Sequence, residues 1–232
     1  MEQMDEKKQI GLLFDRIADT YDRFNHILSL NIDSRWRRKA ADSLSVSERV
    51  LDVAIGTADL AIELIKRNKA GKVTGLDLSA EMMKIGQRKV AGMKMDGRVE
   101  FVQGSALEMP FEESSFDAVT CAFGVRNFSD LDTGLREMFR VLKPGGQLMI
   151  LEFSYPSNPV VRRIYDGFFT HFMPVAGSII SKDKSAYLYF RNSVKGFIWG
   201  EEMLSHISSA GFTEASFRTM SLGISTIYSA MK

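Results

Sequence analysis

From residue 49 onward, two rhythms of apolar and polar positions alternate along the chain. Short apolar runs, 50–54 first among them, have the length of buried parallel strands. Stretches with apolar residues three and four apart read as helices. The pattern predicts strands over 49–54, 72–77, 98–103, 116–122 and 147–153, with helices over 58–68, 80–91 and 130–142. Leu60, Ala61, Leu64 and Ile65 supply the apolar face of the first helix, and Ser79 stands where the second needs a cap. Pro144-Gly145-Gly146 is a stop for the third. After 155 the rhythm breaks. Residues 156–199 are dense in aromatics, among them Phe168, Phe169, Phe172, Tyr187, Tyr189 and Trp199, and predict helices laid over the domain. An amphipathic helix over 200–211 ends at Gly211, and two strands follow near 214–219 and 224–230. Upstream, Ile10, Leu13, Phe14, Ile17 and Ala18 make a helical stripe, and 34–44 reads as a second helix rich in Arg and Lys.

Alternating βα units imply an α/β fold: a doubly wound, largely parallel sheet with right-handed crossovers and helices on both faces. The expected organisation is one domain over 1–232, with N-terminal helices in 1–45 and a helical cap in 156–199. Ligands of such sheets bind beyond the carboxyl ends of the strands. Gly56, Thr57, Asp77, Ser105 and Ala106 gather there, as does the segment from Phe123 to Asn127.

The first of these strands carries the chemistry. Asp52 precedes a turn, Ala54-Ile55-Gly56-Thr57-Ala58, whose one glycine allows tight turning and close approach of a ligand. Asp77 ends the next strand 21 residues after Gly56, where a carboxylate can accept both hydroxyls of a ribose. A dinucleotide would ask for G-x-G-x-x-G to wrap its pyrophosphate, and neither that pattern nor a P-loop lysine is present. An adenosine cofactor without phosphate, S-adenosylmethionine, suits the turn better. The plainer alternative is an ordinary strand-to-helix turn, and a nicotinamide or flavin oxidoreductase is disfavoured by the missing glycines.

Composition narrows the classes. Apolar residues make up 45% of 232, enough for a core. Thirty basic and 29 acidic residues leave a net charge of +1, against a nucleic-acid partner held by bulk charge. The single Cys121 excludes an intrachain disulfide and fits a reducing cytoplasm. His26, His171 and His206 with that cysteine make no metal-ligand spacing. The N-terminus lacks the apolar core of a signal peptide, and there is no run of 18 apolar residues to span a membrane.

Three motifs carry a family resemblance: Tyr21-Asp22-Arg23-Phe24-Asn25 running on to Arg35-Trp36-Arg37; Phe123-Gly124-Val125-Arg126-Asn127; and the stretch from Arg140 through Lys143-Pro144-Gly145-Gly146 to Ser154. A fourth stretch, 185–193, is similar too. Together they resemble the ubiquinone/menaquinone biosynthesis C-methyltransferases, within the class I S-adenosylmethionine-dependent methyltransferases, over nearly the whole chain. The resemblance implies a Rossmann-like sheet with an antiparallel C-terminal strand. It implies methyl transfer to a ring carbon of a prenylated quinol such as demethylmenaquinol. It leaves open a benzoquinol of the ubiquinone pathway, a non-catalytic cofactor-binding role in a quinone-synthesis complex, and a homodimer. Cofactor contacts then fall at Thr57, Asp77, Ser105 and Ala106, with Gly56, Asp52 and Tyr21 beside them. Arg126 is the expected stabiliser of a developing phenolate, with an ion pair as its plainer role. Tyr187 and His171 are the groups that could meet the substrate hydroxyl, although packing is the commoner use of such residues. An apolar cap and the cluster Arg35-Trp36-Arg37-Arg38-Lys39, with Trp36 as an interfacial ring, would bring the protein to a membrane surface. Two family glycines are replaced here by Ile55 and Ala58, so the turn must avoid positive φ at those positions or bear strain. A family histidine is Arg35, and a serine after the fourth strand is Ala122.

Overall fold

A computed structural model describes Asp15 and residues 32–168, 170 and 184–232. Its elements are α1 (Asp33–Ser43), β1 (Ser47–Val53), α2 (Asp59–Lys66), β2 (Ala70–Asp77), α3 (Ala80–Gly92), β3 (Val99–Gln103), β4 (Phe116–Ala122), α4 (Leu131–Val141), β5 (Leu142–Phe153), α5 (Pro159–Gly167), α6 (Lys184–Gly196), α7 (Glu201–Ser209), β6 (Thr213–Met220) and β7 (Ser225–Met231). One seven-stranded sheet runs in the order β3-β2-β1-β4-β5-β7-β6. Every pair from β3 to β5 is parallel, and β7 runs antiparallel to both β5 and β6. The expected fold class and its antiparallel C-terminal strand are both present.

Pleat decides which face each residue serves. On β1, Leu51 and Val53 enter a cluster with Leu135, Met138, Met203 and Ile207 of α4 and α7. Val50 enters the opposite cluster, with Trp36, Leu60, Leu64 and Met83 of α1, α2 and α3. Asp52 shares the parity of Val50, so its carboxyl points under α1 and α2. Ser79 caps α3 as anticipated, its hydroxyl accepting the Met82 N–H at 3.1 Å. The boundary displaced by more than two residues is that of β5. Its pairing with β4 starts at Leu142 opposite Phe116 and resumes at Gln147 opposite Ala118, so Lys143–Gly146 bulge out of the ladder. The Pro-Gly-Gly turn stops α4 without delaying the strand.

Ala54, Gly56 and Ala58 hold φ of 56°, 53° and 65° in the turn after β1. Of the two replaced glycines, Ile55 avoids the left-handed region and Ala58 occupies it. A non-glycine residue there costs about 1–2 kcal/mol. Ile55 takes its space from the neighbouring strand: a Cβ on Gly75 would stand 2.0 Å from Ile55 Cδ1 and 2.8 Å from Ile55 Cβ.

One expectation is corrected. Trp36 is only 4% exposed, edge-on to Phe153 and beside Phe123, and Arg37 is buried with it. Neither can serve as an interfacial group. Arg35, Arg38 and Lys39 do face solvent. No helix among the described residues is long and apolar enough to cross a membrane.

Candidate active site

A cleft of about 810 Å³, counting its open mouth, lies beyond the carboxyl ends of β1, β2 and β4. Asp77 stands at its head. Its Oδ2 accepts the Gly56 N–H at 2.7 Å and its Oδ1 accepts the Ser79 N–H at 2.9 Å. Burial raises its pKa, and these amide donors oppose the rise. The Leu78 N–H is a third backbone donor, and a carboxylate offers about four lone-pair sites, so acceptor capacity remains for a ligand. Most of the remaining wall is apolar: Leu76, Leu78, Met82, Ala106, Leu107 and Phe128. Gly56, Ser105 and Ala106 line the cleft where the sequence placed them. The Ser105 hydroxyl is occupied in part by the Leu107 N–H, at 3.1 Å. Asp15 reaches the same rim and accepts the Ser79 hydroxyl at 2.5 Å.

Thr57 and Asp52 face a second, smaller cavity. It shares Ala54, Gly56, Ala122 and Phe123 with the cleft and is otherwise lined by Arg37, Asp59, Ile55 and Leu60. The Thr57 hydroxyl accepts from Lys89 Nζ at 3.0 Å, and Lys89 also pairs with Asp59 at 2.7 Å. Arg37 pairs with Asp33 and lies 3.7 Å from Asp59. Asp52 accepts the Thr120 hydroxyl at 2.8 Å. Burial pushes its pKa up from 3.8 to about 7, against the Thr120 hydrogen bond, with Asp77 adding to the rise and Arg37 opposing it.

That shift makes a stability prediction. Unfolded, Asp52 ionises near 3.8; folded, near 7. Between those values the folded chain holds a proton that the unfolded chain has lost. Stability therefore falls as pH rises from about 4 to about 7 and levels off above that. Asp52→Asn, neutral throughout, is expected to melt at a higher temperature than the parent above pH 7, with the two curves converging near pH 4. Melting curves across that range check it; parallel curves would assign the pH dependence to another group.

Arg126 sits in the short 3-10 turn Val125–Asn127 after β4. Its guanidinium is buried and paired with Glu152 Oε1 at 2.8 Å, while Nη1 also donates to the Phe123 carbonyl at 2.5 Å. Glu152 is fully buried and its carboxylate further accepts the Phe153 N–H at 2.8 Å. The plainer expectation for Arg126, an ion pair, is thus present. Next along, Asn127 lines the cleft and accepts the Tyr189 hydroxyl at 3.0 Å. Burial raises the Tyr189 pKa, with Arg126 pulling the other way. Sequence reasoning singled out Tyr187, two residues away on α6. Tyr21, Asn25 and His171 lie outside the described residues, as does the Tyr187 side chain. Cys121 is a core thiol, its pKa driven well up by burial. No group of acidic, His and Cys side chains able to hold a metal occurs among the described residues.

Comparison with known proteins shows the family and the fold. A demethylmenaquinone methyltransferase of Porphyromonas gingivalis is 43% identical over 230 residues, covering 98% of this chain and 94% of that protein. A ubiquinone/menaquinone biosynthesis C-methyltransferase of Geobacter sulfurreducens is 41% identical, covering 97% and 89%. Among solved structures, an S-adenosylmethionine-dependent methyltransferase of Thermotoga maritima superposes with a TM-score of 0.69 over 96% of this chain and 99% of that one. Its 18% identity speaks for the fold alone. The model of the ubiE/COQ5 methyltransferase family matches residues 1–232, and the chain belongs to that family.

Proposed function

We propose that the protein transfers a methyl group from S-adenosylmethionine to a ring carbon of a prenylated quinol, demethylmenaquinol, to give menaquinol. The observation that carries this reading is Asp77: a carboxylate with acceptor capacity left at the head of an apolar cleft, locked to the one glycine of the turn. The residues present fit the cofactor. Asp77 would accept the ribose hydroxyls, and Leu78, Met82, Ala106 and Phe128 offer an apolar slot for a purine. Arg37, Asp52 and Thr57 in the adjoining cavity match the two opposite charges of an amino-acid end. When bound, the cofactor supplies a methyl group on a positively charged sulfur.

The chain's own contribution is orientation and electrostatics. The quinol ring carbon becomes nucleophilic as a neighbouring hydroxyl gives up its proton. Arg126, desolvated beside the cleft and held by Glu152, provides fixed positive potential for the oxygen left behind. Asn127 and Tyr189 present a polar pair at the same rim. Of the cap expected over 156–199, α5 and α6 are described and 171–183 lie outside the described residues; the cap would cover the substrate. The Trp36 and Phe123 rings close the floor against water. The buried thiol and the lipid-tailed substrate support work in the reducing cytoplasm at a membrane face.

A second reading, methylation of a ubiquinone-pathway benzoquinol, is favoured by the name of the Geobacter relative. Incubation with labelled cofactor and each demethylated quinol in turn, read by mass spectrometry, decides between them. Label in menaquinol is expected. Label only in the benzoquinol supports the second reading, and no transfer to either leaves a non-catalytic cofactor-binding role.

A further inference from the structure

Three consecutive residues in the turn from β6 to β7, Ser221, Leu222 and Gly223, hold φ of 48°, 60° and 90°. A leucine is disfavoured there by its Cβ, and strain of this kind persists where the surroundings enforce it or function uses it. Leu222 has no packing to compensate, since 77% of its surface is exposed. The turn is nonetheless held firmly. Trp36 Nε1 donates to Ser221 Oγ at 2.8 Å, and the Ser154 hydroxyl donates to the Gly223 carbonyl at 2.9 Å. A Cβ on Gly223 would stand 3.6 Å from the Pro156 Cα, so the turn lies against the segment that leads into α5.

That helix adds to the same edge. Val160 and Ile164, one turn apart, are 67% and 69% exposed. Arg162 and Arg163 lie between them and are exposed as well, Arg162 tied to the Pro156 carbonyl at 2.9 Å. The one carboxylate of α5, Asp166, is engaged by Lys195 and Tyr155. On the other flank, α1, anchored to the turn through Trp36, carries exposed Arg35, Arg38 and Lys39. Three exposed aliphatic side chains, on α5 and the β6–β7 turn, are thus accompanied by exposed cations on α5 and α1, and the turn lies at the carboxyl end of the sheet, as the cleft does.

We propose that this face seats on an anionic lipid bilayer, with Leu222, Val160 and Ile164 entering the headgroup layer and the Arg and Lys side chains on the lipid charges. Protruding side chains need a yielding partner, and the cations need a negative one; a bilayer of acidic phospholipid is both. The inference rests on the reading of the substrate as a prenylated quinol, whose tail stays in the bilayer while its ring reaches the cleft.

Co-sedimentation with phosphatidylglycerol and phosphatidylcholine vesicles tests it. The parent is expected to bind the anionic vesicles, and less so in high salt. Leu222→Gly suits the left-handed backbone, so its melting temperature should rise by about 2 °C while vesicle affinity falls by about tenfold. Val160→Ser/Ile164→Ser should weaken binding by a similar factor. Binding unchanged in both variants, or none by the parent, overturns the proposal. So does a self-association in ultracentrifugation that Leu222→Gly abolishes in the absence of vesicle binding, which would assign the face to a second copy of the chain. Turnover of a tail-less quinol keeps the two readings apart. Equal rates in parent and variants with no vesicle binding overturn only this inference, whereas no turnover by any of them removes its foundation.

Discussion

Arg126→Ala should destabilise the protein by about 3–5 kcal/mol, because it leaves the fully buried Glu152 carboxylate without its counter-charge. For a chain of this size that is a fall in melting temperature on the order of 10 °C. Arg126→Met/Glu152→Gln should recover most of it. Glutamine keeps an acceptor for the Phe153 N–H, and methionine refills the space over the Phe153 ring, where the guanidinium now lies 5.3 Å from the centroid. The double variant then separates stability from chemistry. It should fold and bind cofactor, yet turn over at least about 100-fold more slowly, the scale of losing one stabiliser of a developing oxyanion. Arg126→Lys should show a similar loss of turnover, since lysine keeps the charge but lacks the planar guanidinium that lies over the Phe153 ring. Full activity in the double variant would reduce the pair to a structural role.

Asp77→Ala should lower cofactor affinity by at least about 100-fold. Two charge-assisted hydrogen bonds to a ribose are each worth about 1.5–3 kcal/mol, and each 1.4 kcal/mol is tenfold. Sequence reasoning alone expects the ligand-free melting temperature hardly to move. The structure changes that expectation, because the same carboxylate holds the Gly56 and Ser79 amides at the start of the turn and of α3. The variant should therefore melt lower without ligand as well. Asp77→Asn, which keeps one acceptor oxygen, should lose less of both. Calorimetry and melting curves read the two effects separately, and unchanged affinity in Asp77→Ala would remove Asp77 from the cofactor site.

What sequence made legible follows the length scale of the interaction. The βα rhythm and Asp77 could be read because periodicity and a fixed spacing from Gly56 are local. The Arg126–Glu152 pair joins residues 26 apart, brought together by the β4–β5 ladder, and no local pattern announces it. Trp36 was misplaced for a different reason. Within a run of Arg and Lys it reads as a surface ring, yet Trp36, Ala40 and Leu44 recur every four residues and are all buried. That stripe was available as a core signal and was outweighed by charge. Asp52 stands in a side cavity because strand parity turns it towards α1, with Thr57 of the following turn beside it, and this only matters once α1 is known to pack there. Tyr189 gave no signal beyond being one aromatic in a segment full of them.

The close fit of Ile55 over Gly75 has a historical consequence. A side chain at 75 and an isoleucine at 55 cannot share that space, since even the Ile55 Cβ lies too near. Any lineage that reached the present pair from a glycine at 55 and a larger residue at 75 had to lose the side chain on the strand before gaining the one in the turn. The opposite order passes through a chain whose cofactor turn is displaced. A side chain can therefore be placed at 75 only together with a smaller residue at 55, and the two positions have to be exchanged as a pair.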